Sequence, residues 1–301
     1  MNFDLSEDQR TIKSTAREFL AARYPLAEVR RLALEGGFSD EQWAEIVELG
    51  WTEIAEIGTV EMVVVAEELG YALAPTPLQS TWAAGLLAPL EPAQRGAVVV
   101  DGLAADADGA DVLVAWDGSS AHVLSGASIE PVRSLDPTRP LFRVSGGTAG
   151  DPLQESGLGW LRATVMNAAE SVGVAERAMG MAVAYAKERK QFGRAIGSYQ
   201  AVSHPCAQML LEVEGARSAV YWAAWALDHE PETAPLAVAC AKAYAGDCGR
   251  RVTRAALQVH GGIGFTWEHD LHFFLKRGEA NARAYGDGAA QRERVAALAG
   301  L

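Results

Sequence analysis

The chain has 301 residues, 49% of them hydrophobic and 22% charged, which suits one large globular domain or two or three small ones and excludes a disordered chain. A net charge of −13, from 26 basic and 39 acidic side chains, makes a surface that repels phosphate backbones and anionic lipid, so nucleic-acid binding is not expected as the main role. Three cysteines without CxxC spacing exclude a disulfide scaffold, and the polar, acidic N-terminus and the lack of an apolar run of about 18 residues lead us to expect a cytoplasmic protein with no membrane span.

In chain order, residues 1–90 read as a helical domain. Phe3 to Ala22 carries apolar residues near helical spacing, with Ser6 and Asp8 as start signals, and Pro25 closes it. Asp40 to Leu49 repeats the pattern and stops at Gly50. Val60 to Leu73 ends at the Pro75–Pro77 breaker, and Leu78 to Leu87 ends at Pro89.

Residues 91–150 change character. Short β-rich runs at Ala97–Val100, Val112–Trp116, Ala121–Leu124 and Leu141–Val144 alternate with turn chemistry at Asp101-Gly102, Asp108-Gly109, Asp117-Gly118 and Pro131. This predicts a small antiparallel β domain of about four to six strands. Gly146 to Gly150 reads as the linker out of it.

Residues 151–301 return to long helical periods: Leu158 to Lys190, Tyr199 to His229 with Pro205 near its first turns, Glu232 to Val259, and Trp267 to Leu298 with a break near Gly286 and Gly288. Long helices joined by short connections predict an antiparallel bundle. The fold class is therefore mostly α with a small β domain: an N-terminal helical domain, a reduced antiparallel β middle domain and a C-terminal long-helix bundle.

Two segments could carry chemistry. In Lys187 to Gln200, Lys187, Arg189, Lys190 and Arg194 cluster in an otherwise acidic chain, and Phe192-Gly193 breaks the helix between them. Guanidinium groups beside freed backbone N–H groups suit a diphosphate; a solvated, charged helix end fits the same pattern. In Gln258 to Gly264, the adjacent Gly261 and Gly262 permit close backbone approach to a ligand, with Gln258 offering an amide. A simple glycine C-cap is the competing reading, and the run is not a Rossmann fingerprint. No metal is expected, because the spacing of His260, His269 and His272 matches no zinc signature. The cysteines Cys206, Cys240 and Cys248 read as small core residues, and Trp222 and Trp225 as core packing.

Taken together, the chain resembles the acyl-CoA dehydrogenase family. Arg189-Lys-Gln-Phe192-Gly193, with Gln200 seven further on, resembles its RxxFGxxxxxxQ signature. Gln258 to Phe265 resembles its QxxGGxGY signature, and Phe3 to Gln9 is similar to its usual start. The resemblance implies FAD lying across a subunit interface, with the flavin ring against one subunit's middle domain and the adenosine diphosphate held by the neighbour's C-terminal domain. It places Arg189 on the pyrophosphate, Phe192 on the neighbour's flavin, and Gln258, Gly261 and Gly262 at the adenosine end. Gln191, Gly193 and Gln200 complete the cofactor-binding set.

Departures from the family pattern are as informative. The middle domain is about half the usual length, and it lacks the Thr-Glu-Pro and Ile-Thr-Asn type runs. The catalytic Glu of the Tyr-Glu-Gly-Thr-like run has no counterpart in Ala284-Tyr285-Gly286-Asp287, nor does the alternative Glu early in the first bundle helix, near Leu161 to Ala163. Glu170 and Glu176 read as packing or surface groups. Without a carboxylate near the α-carbon of the substrate, proton abstraction loses its general base. No catalytic residue is therefore assigned in this chain.

The resemblance then implies one subunit of a heteromeric acyl-CoA dehydrogenase, as in paired α2β2 steroid-degrading enzymes. This chain would contribute the adenosine-side FAD clamp, and a homologous partner the catalytic Glu, for α,β-desaturation of an acyl-CoA, with electrons passed to an electron-transfer flavoprotein. Two alternatives stand beside it: a self-sufficient homo-oligomeric enzyme with an unusual base such as Asp287, and a structural paralogue that only stabilises a partner.

Overall fold

The computed structural model describes residues 4–36 and 38–301. The first helix, α1 (Glu7–Arg23), opens with a reciprocal capping box. The Gln9 N–H donates to Ser6 Oγ at 3.1 Å, and the Ser6 N–H donates to Gln9 Oε1 at 2.9 Å. The predicted start at Phe3 lies outside the described residues. Pro25 does close α1, but it also opens α2 (Leu26–Glu35), a helix not expected from the sequence. The Pro25 carbonyl accepts the Glu28 and Val29 N–H groups, and proline suits this place because it has no N–H to leave unpaired.

Helix α3 (Asp40–Glu48) follows, capped by Ser39, then the short α4 (Ile54–Ile57), α5 (Thr59–Ala72) and α6 (Leu78–Gly85). Helix α5 is buried over most of its circumference. Its neighbour is α7 (Ser156–Glu188), and two glycines set how closely they approach. A Cβ on Gly70 would meet the Glu170 carbonyl oxygen at 2.2 Å, and one on Gly173 the Glu67 carbonyl oxygen at 1.8 Å. No side chain fits at either crossing point.

The middle region is a five-stranded closed barrel in the order β1–β2–β5–β4–β3: β1 (Gly96–Val100), β2 (Leu103–Ala105), β3 (Val112–Trp116), β4 (Ala121–Val132) and β5 (Leu141–Ala149). Four of its pairings are antiparallel, but β1 and β3 run parallel, Val98 opposite Val114, and this pairing closes the barrel. Two local expectations are corrected. Gly146 to Gly150 is not a linker, because Ser145 to Ala149 extends β5 along β4, with Gly146 opposite Ala127 and Thr148 opposite Ser125. Pro131 is not in a turn but sits in β4 opposite Phe142. Ala97, Val99, Ala104, Phe142 and Val144 fill the barrel, and Ala84 and Leu87 pack α6 against its outside with Val114 and Ala121.

Helices α8 (Gln200–His229), α9 (Ala234–His260), α10 (Leu271–Arg283) and α11 (Gly288–Leu298) complete the bundle around α7. Alanines dominate its core, including Ala168, Ala175, Ala182, Ala237, Ala241 and Ala245, so helix axes lie close and one continuous core joins α7, α8 and α9 to the N-terminal helices. Trp222 and Trp225 pack against this core. The run from Trp267 to Leu298 divides in two, with Tyr285 (φ 57°) and Gly286 (φ 86°) turning the chain between α10 and α11. Among the described residues no helix is long and apolar enough to cross a membrane.

Candidate functional site

Both singled-out segments lie at one end of the bundle. Helix α7 ends with the Arg189 N–H donating to the Tyr185 carbonyl at 2.8 Å. The Tyr185 ring stacks on His260, the last residue of α9, at 4.7 Å between centroids. His260 is buried, and its Nδ1 donates to the Ala256 carbonyl at 2.7 Å; its ring also meets His269 edge-on at 4.5 Å. Sequence reasoning missed this Tyr185–His260 contact, which is what ties the two segments together.

The chain then reverses through a two-stranded hairpin, β6 (Lys190–Gln191) and β7 (Arg194–Ala195). Phe192 (φ 52°) and Gly193 (φ 81°) occupy its tip, the double left-handed geometry that a tight two-residue turn demands. The Phe192 ring is left 92% exposed. The Arg194 guanidinium lies 4.0 Å over the Tyr199 ring, and the Tyr199 hydroxyl donates to the Gln191 carbonyl at 3.3 Å. Arg189, Lys190, Gln191 and Arg194 all face solvent, as does Gln200 at the start of α8.

On the other side of Tyr185 and His260, α9 ends at Gly261, which takes the left-handed φ of 62° and caps the helix with its N–H on the Leu257 and Gln258 carbonyls. The glycine C-cap reading is therefore correct for Gly261. It does not explain Gly262, which has no positive φ and nothing within 4 Å of where a Cβ would stand. Neither conformation nor packing asks for glycine there. Gln258 is exposed beside it.

Phe265 and Trp267, each 70% exposed, and Ile263 follow in the next turn. Arg30 of α2 holds that turn. Its Nε donates to Asp270 Oδ1 at 2.8 Å, Nη1 to the Trp267 carbonyl at 2.9 Å and Nη2 to the Glu268 carbonyl at 3.1 Å. The unrecognised helix α2 concealed this residue from sequence reasoning. Exposed rings and cations at the hairpin, and exposed rings beside an unhindered backbone at Gly262, have the chemistry to meet a planar, anionic group.

The seam between barrel and bundle has the opposite character. Trp116 of β3 stacks on Trp160 of α7 at 4.4 Å and 4° between planes, and Trp160 meets Tyr285 at 5.0 Å. Behind this stack, the β4–β5 loop inserts Asp136, Thr138 and Arg139 between helices. Arg139 grips both Glu170 oxygens, at 2.9 and 3.0 Å, and Gln79 at 2.9 Å. Arg277 of α10 binds Asp136 and Glu170 together, and donates to Thr138 Oγ1 at 2.6 Å; Asn281 donates to Glu170 at 2.9 Å. Burial would raise the Glu170 carboxyl, but Arg139 and Arg277 outweigh it and hold it below the usual carboxylate range. Glu170 is thus a buried, fully engaged anion.

Asp287 is spent differently. It caps α11, its Oδ1 accepting the Ala289 and Ala290 N–H groups at 3.0 and 2.9 Å. Those backbone bonds, that of Ala290 first, hold its carboxyl below the usual range. Glu176, half-buried, pairs with Arg217 at 2.6 Å.

Comparison with known proteins agrees with this architecture. The family model for the acyl-CoA dehydrogenase N-terminal domain matches residues 6–93, and that for the C-terminal domain residues 149–299. Acyl-CoA dehydrogenase IpdE2 of Mycolicibacterium smegmatis is 32% identical over 97% of this chain and 99% of its own length. Among solved structures, the ChsE4–ChsE5 complex from Mycobacterium tuberculosis contains a chain of the same fold, with a TM-score of 0.84 and 23% identity over 100% of this chain and 99% of that one. The Tcur3481–Tcur3483 steroid acyl-CoA dehydrogenase gives a TM-score of 0.84 at 22% identity, covering 98% of each chain. The chain belongs to the acyl-CoA dehydrogenase family.

Proposed function

We propose that this chain is the clamp subunit of a heteromeric, FAD-dependent acyl-CoA dehydrogenase. It holds the adenosine diphosphate end of a partner's FAD and leaves proton abstraction to the partner. The observation that carries this reading is the contrast between the open bundle end and the closed seam. Arg189, Lys190 and Arg194 present solvent-facing cations that, among the described residues, have no carboxylate within ion-pair distance, Phe192 presents a ring face, and Gly262 leaves room for close approach. The residues present fit a pyrophosphate and an adenine edge. At the seam, the position expected of the catalytic Glu carries Tyr285, its ring packed with Trp160, and the nearest acid, Asp287, is a helix cap.

FAD, when bound, supplies the hydride acceptor for α,β-desaturation of the acyl-CoA. Arg189 would neutralise pyrophosphate charge, Phe192 at the hairpin tip would pack on the flavin half, and Gln258 would offer its amide to the adenosine half. Support for a heteromer comes from the two-component complexes ChsE4–ChsE5 and Tcur3481–Tcur3483, and for a steroid-derived acyl group from the latter, a steroid acyl-CoA dehydrogenase. PigA, solved as an FAD complex, shares the fold. The engagement of Asp287 disfavours a self-sufficient enzyme using that residue as base.

Absorbance separates these cases. Purified alone, the chain should be colourless and inactive, and flavin absorbance near 450 nm should appear only when it is co-purified with a homologous subunit. A yellow, active chain on its own would refute the clamp reading.

A further inference from the structure

A cavity of about 290 Å³ lies where the end of α1 and the start of α2 meet α5 and α7. Its floor is apolar, built from Leu20, Leu26 and Ala72, and its rim is formed by the exposed Ala21 and Pro25. Two polar groups in the lining have hydrogen-bonding capacity to spare. The Tyr24 side chain is packed into the wall, and its hydroxyl, which reaches accessible space, makes no hydrogen bond to a described residue. Arg177 is half-buried, its Nη1 donates to the Tyr71 hydroxyl at 3.2 Å, and among the described residues no carboxylate lies within ion-pair distance of it.

The surrounding charges show why Arg177 is left over. Glu67 is matched by Lys13 at 2.8 Å and Arg217 at 3.0 Å, and Glu176 by Arg217 at 2.6 Å. Glu68, the one carboxylate in the lining, is gripped through both oxygens by Arg17, which also lies 3.6 Å over the Tyr71 ring. Lys13 stands 3.7 Å from Glu68 as well. Every acid around the cavity is already paired, and one guanidinium with several free N–H donors faces an apolar hollow beside an unpartnered phenol.

We propose that this cavity binds a small carboxylate with an apolar body, its anionic head on Arg177 and the Tyr24 hydroxyl and its tail over Leu20 and Leu26. A guanidinium and a hydroxyl converging on one carboxylate give charge-assisted hydrogen bonds, and the apolar floor selects against small inorganic anions. The site shares no residue with the bundle end, so it stands whether or not the flavin reading does.

Hexanoate is a suitable probe, titrated by saturation-transfer NMR into the protein as purified, with hexanamide as the uncharged control. Concentrations up to about 10 mM cover the affinities that a ligand of so few heavy atoms can reach. We expect saturable binding of hexanoate, at least tenfold weaker binding of hexanamide, at least a tenfold loss in Arg177→Met and a several-fold loss in Tyr24→Phe. Absence of saturable binding, equal binding of hexanamide, or an affinity unchanged in Arg177→Met would overturn the proposal. The hexanamide comparison uses the unaltered protein and holds even if a variant fails to fold.

Discussion

The barrel–bundle seam and the bundle end are built from similar residue types put to opposite uses. Arginines at the seam, Arg139 and Arg277, are shared among Glu170, Asp136 and Thr138, while those at the bundle end, Arg189 and Arg194, have no acid within ion-pair distance among the described residues. Aromatic rings at the seam, Trp116, Trp160 and Tyr285, stack on one another; those at the end, Phe192, Phe265 and Trp267, are turned out to solvent. A satisfied polar network and a closed ring stack rigidify a fold, whereas hydrated, unpaired cations and exposed rings stay available to a ligand or neighbour. The same chain can thus be inert in one place and receptive in another.

The largest effect should come from unbalancing the seam. Glu170→Ala leaves Arg277 and Arg139 without their shared anion, and loss of one member of a buried ion cluster costs about 3–5 kcal/mol. Urea unfolding should show that loss, while flavin content per folded complex stays unchanged. A loss below about 1 kcal/mol would mean that the cluster relaxes or hydrates, contrary to its burial.

Beside that cluster, Lys242 donates to Asn167 Oδ1 at 2.8 Å and the Asn281 carbonyl at 2.5 Å, two acceptors for the two N–H bonds of a neutral amine. Burial pushes its pKa down from 10.5 to about 7. Between those values the unfolded chain carries the proton that the folded chain has lost, so stability should rise with pH across the window, by up to about 1.4 kcal/mol per pH unit, and be lowest below it. Lys242→Met should flatten the slope measured from pH 7 to pH 10; an unaltered slope would place the titration elsewhere.

At the open end the expected effects fall on ligand rather than fold. Arg189→Ala should weaken flavin retention by about 1.5–3 kcal/mol, roughly ten- to a hundredfold, with an unchanged melting temperature. The two glycines should part company. Gly261→Ala forces a side chain into a backbone conformation, φ 62° and ψ −140°, that essentially only glycine adopts, and should cost about 1–3 kcal/mol of stability. Gly262→Val should leave melting nearly unchanged and lower flavin occupancy. Equal melting losses in both variants would make the segment a helix cap and nothing more. Smallest of all, Asp287→Asn keeps an N-cap side chain and should leave turnover of the assembled enzyme within a few-fold. A fall of orders of magnitude with folding and flavin intact would make Asp287 the base.

Much of this was legible in the sequence for a physical reason. Helical periodicity is local, so the bundle helices lie near where residues 158–298 place them, and signatures confined to a dozen residues pointed to the bundle end. Long-range pairing is not local. Gly146 to Gly150 resembles a linker until β4 is set beside it, and the parallel β1–β3 pair joins segments that only the closed barrel brings together. Asp136 and Arg277 are 141 positions apart, and nothing in either neighbourhood marks them as partners. Glu170 likewise reads as a packing or surface residue until Arg139 and Arg277 converge on it. Pro25 was ambiguous for another reason: the same ring stops one helix and starts the next.

The most direct test of the division between a closed seam and a receptive end is a flavin count on the assembled complex, with and without Arg189→Ala in this chain alone. The clamp proposal predicts one FAD for every pair of unlike chains, falling toward none after dialysis of the variant. A flavin for every chain, or a count that Arg189→Ala leaves untouched, would contradict it.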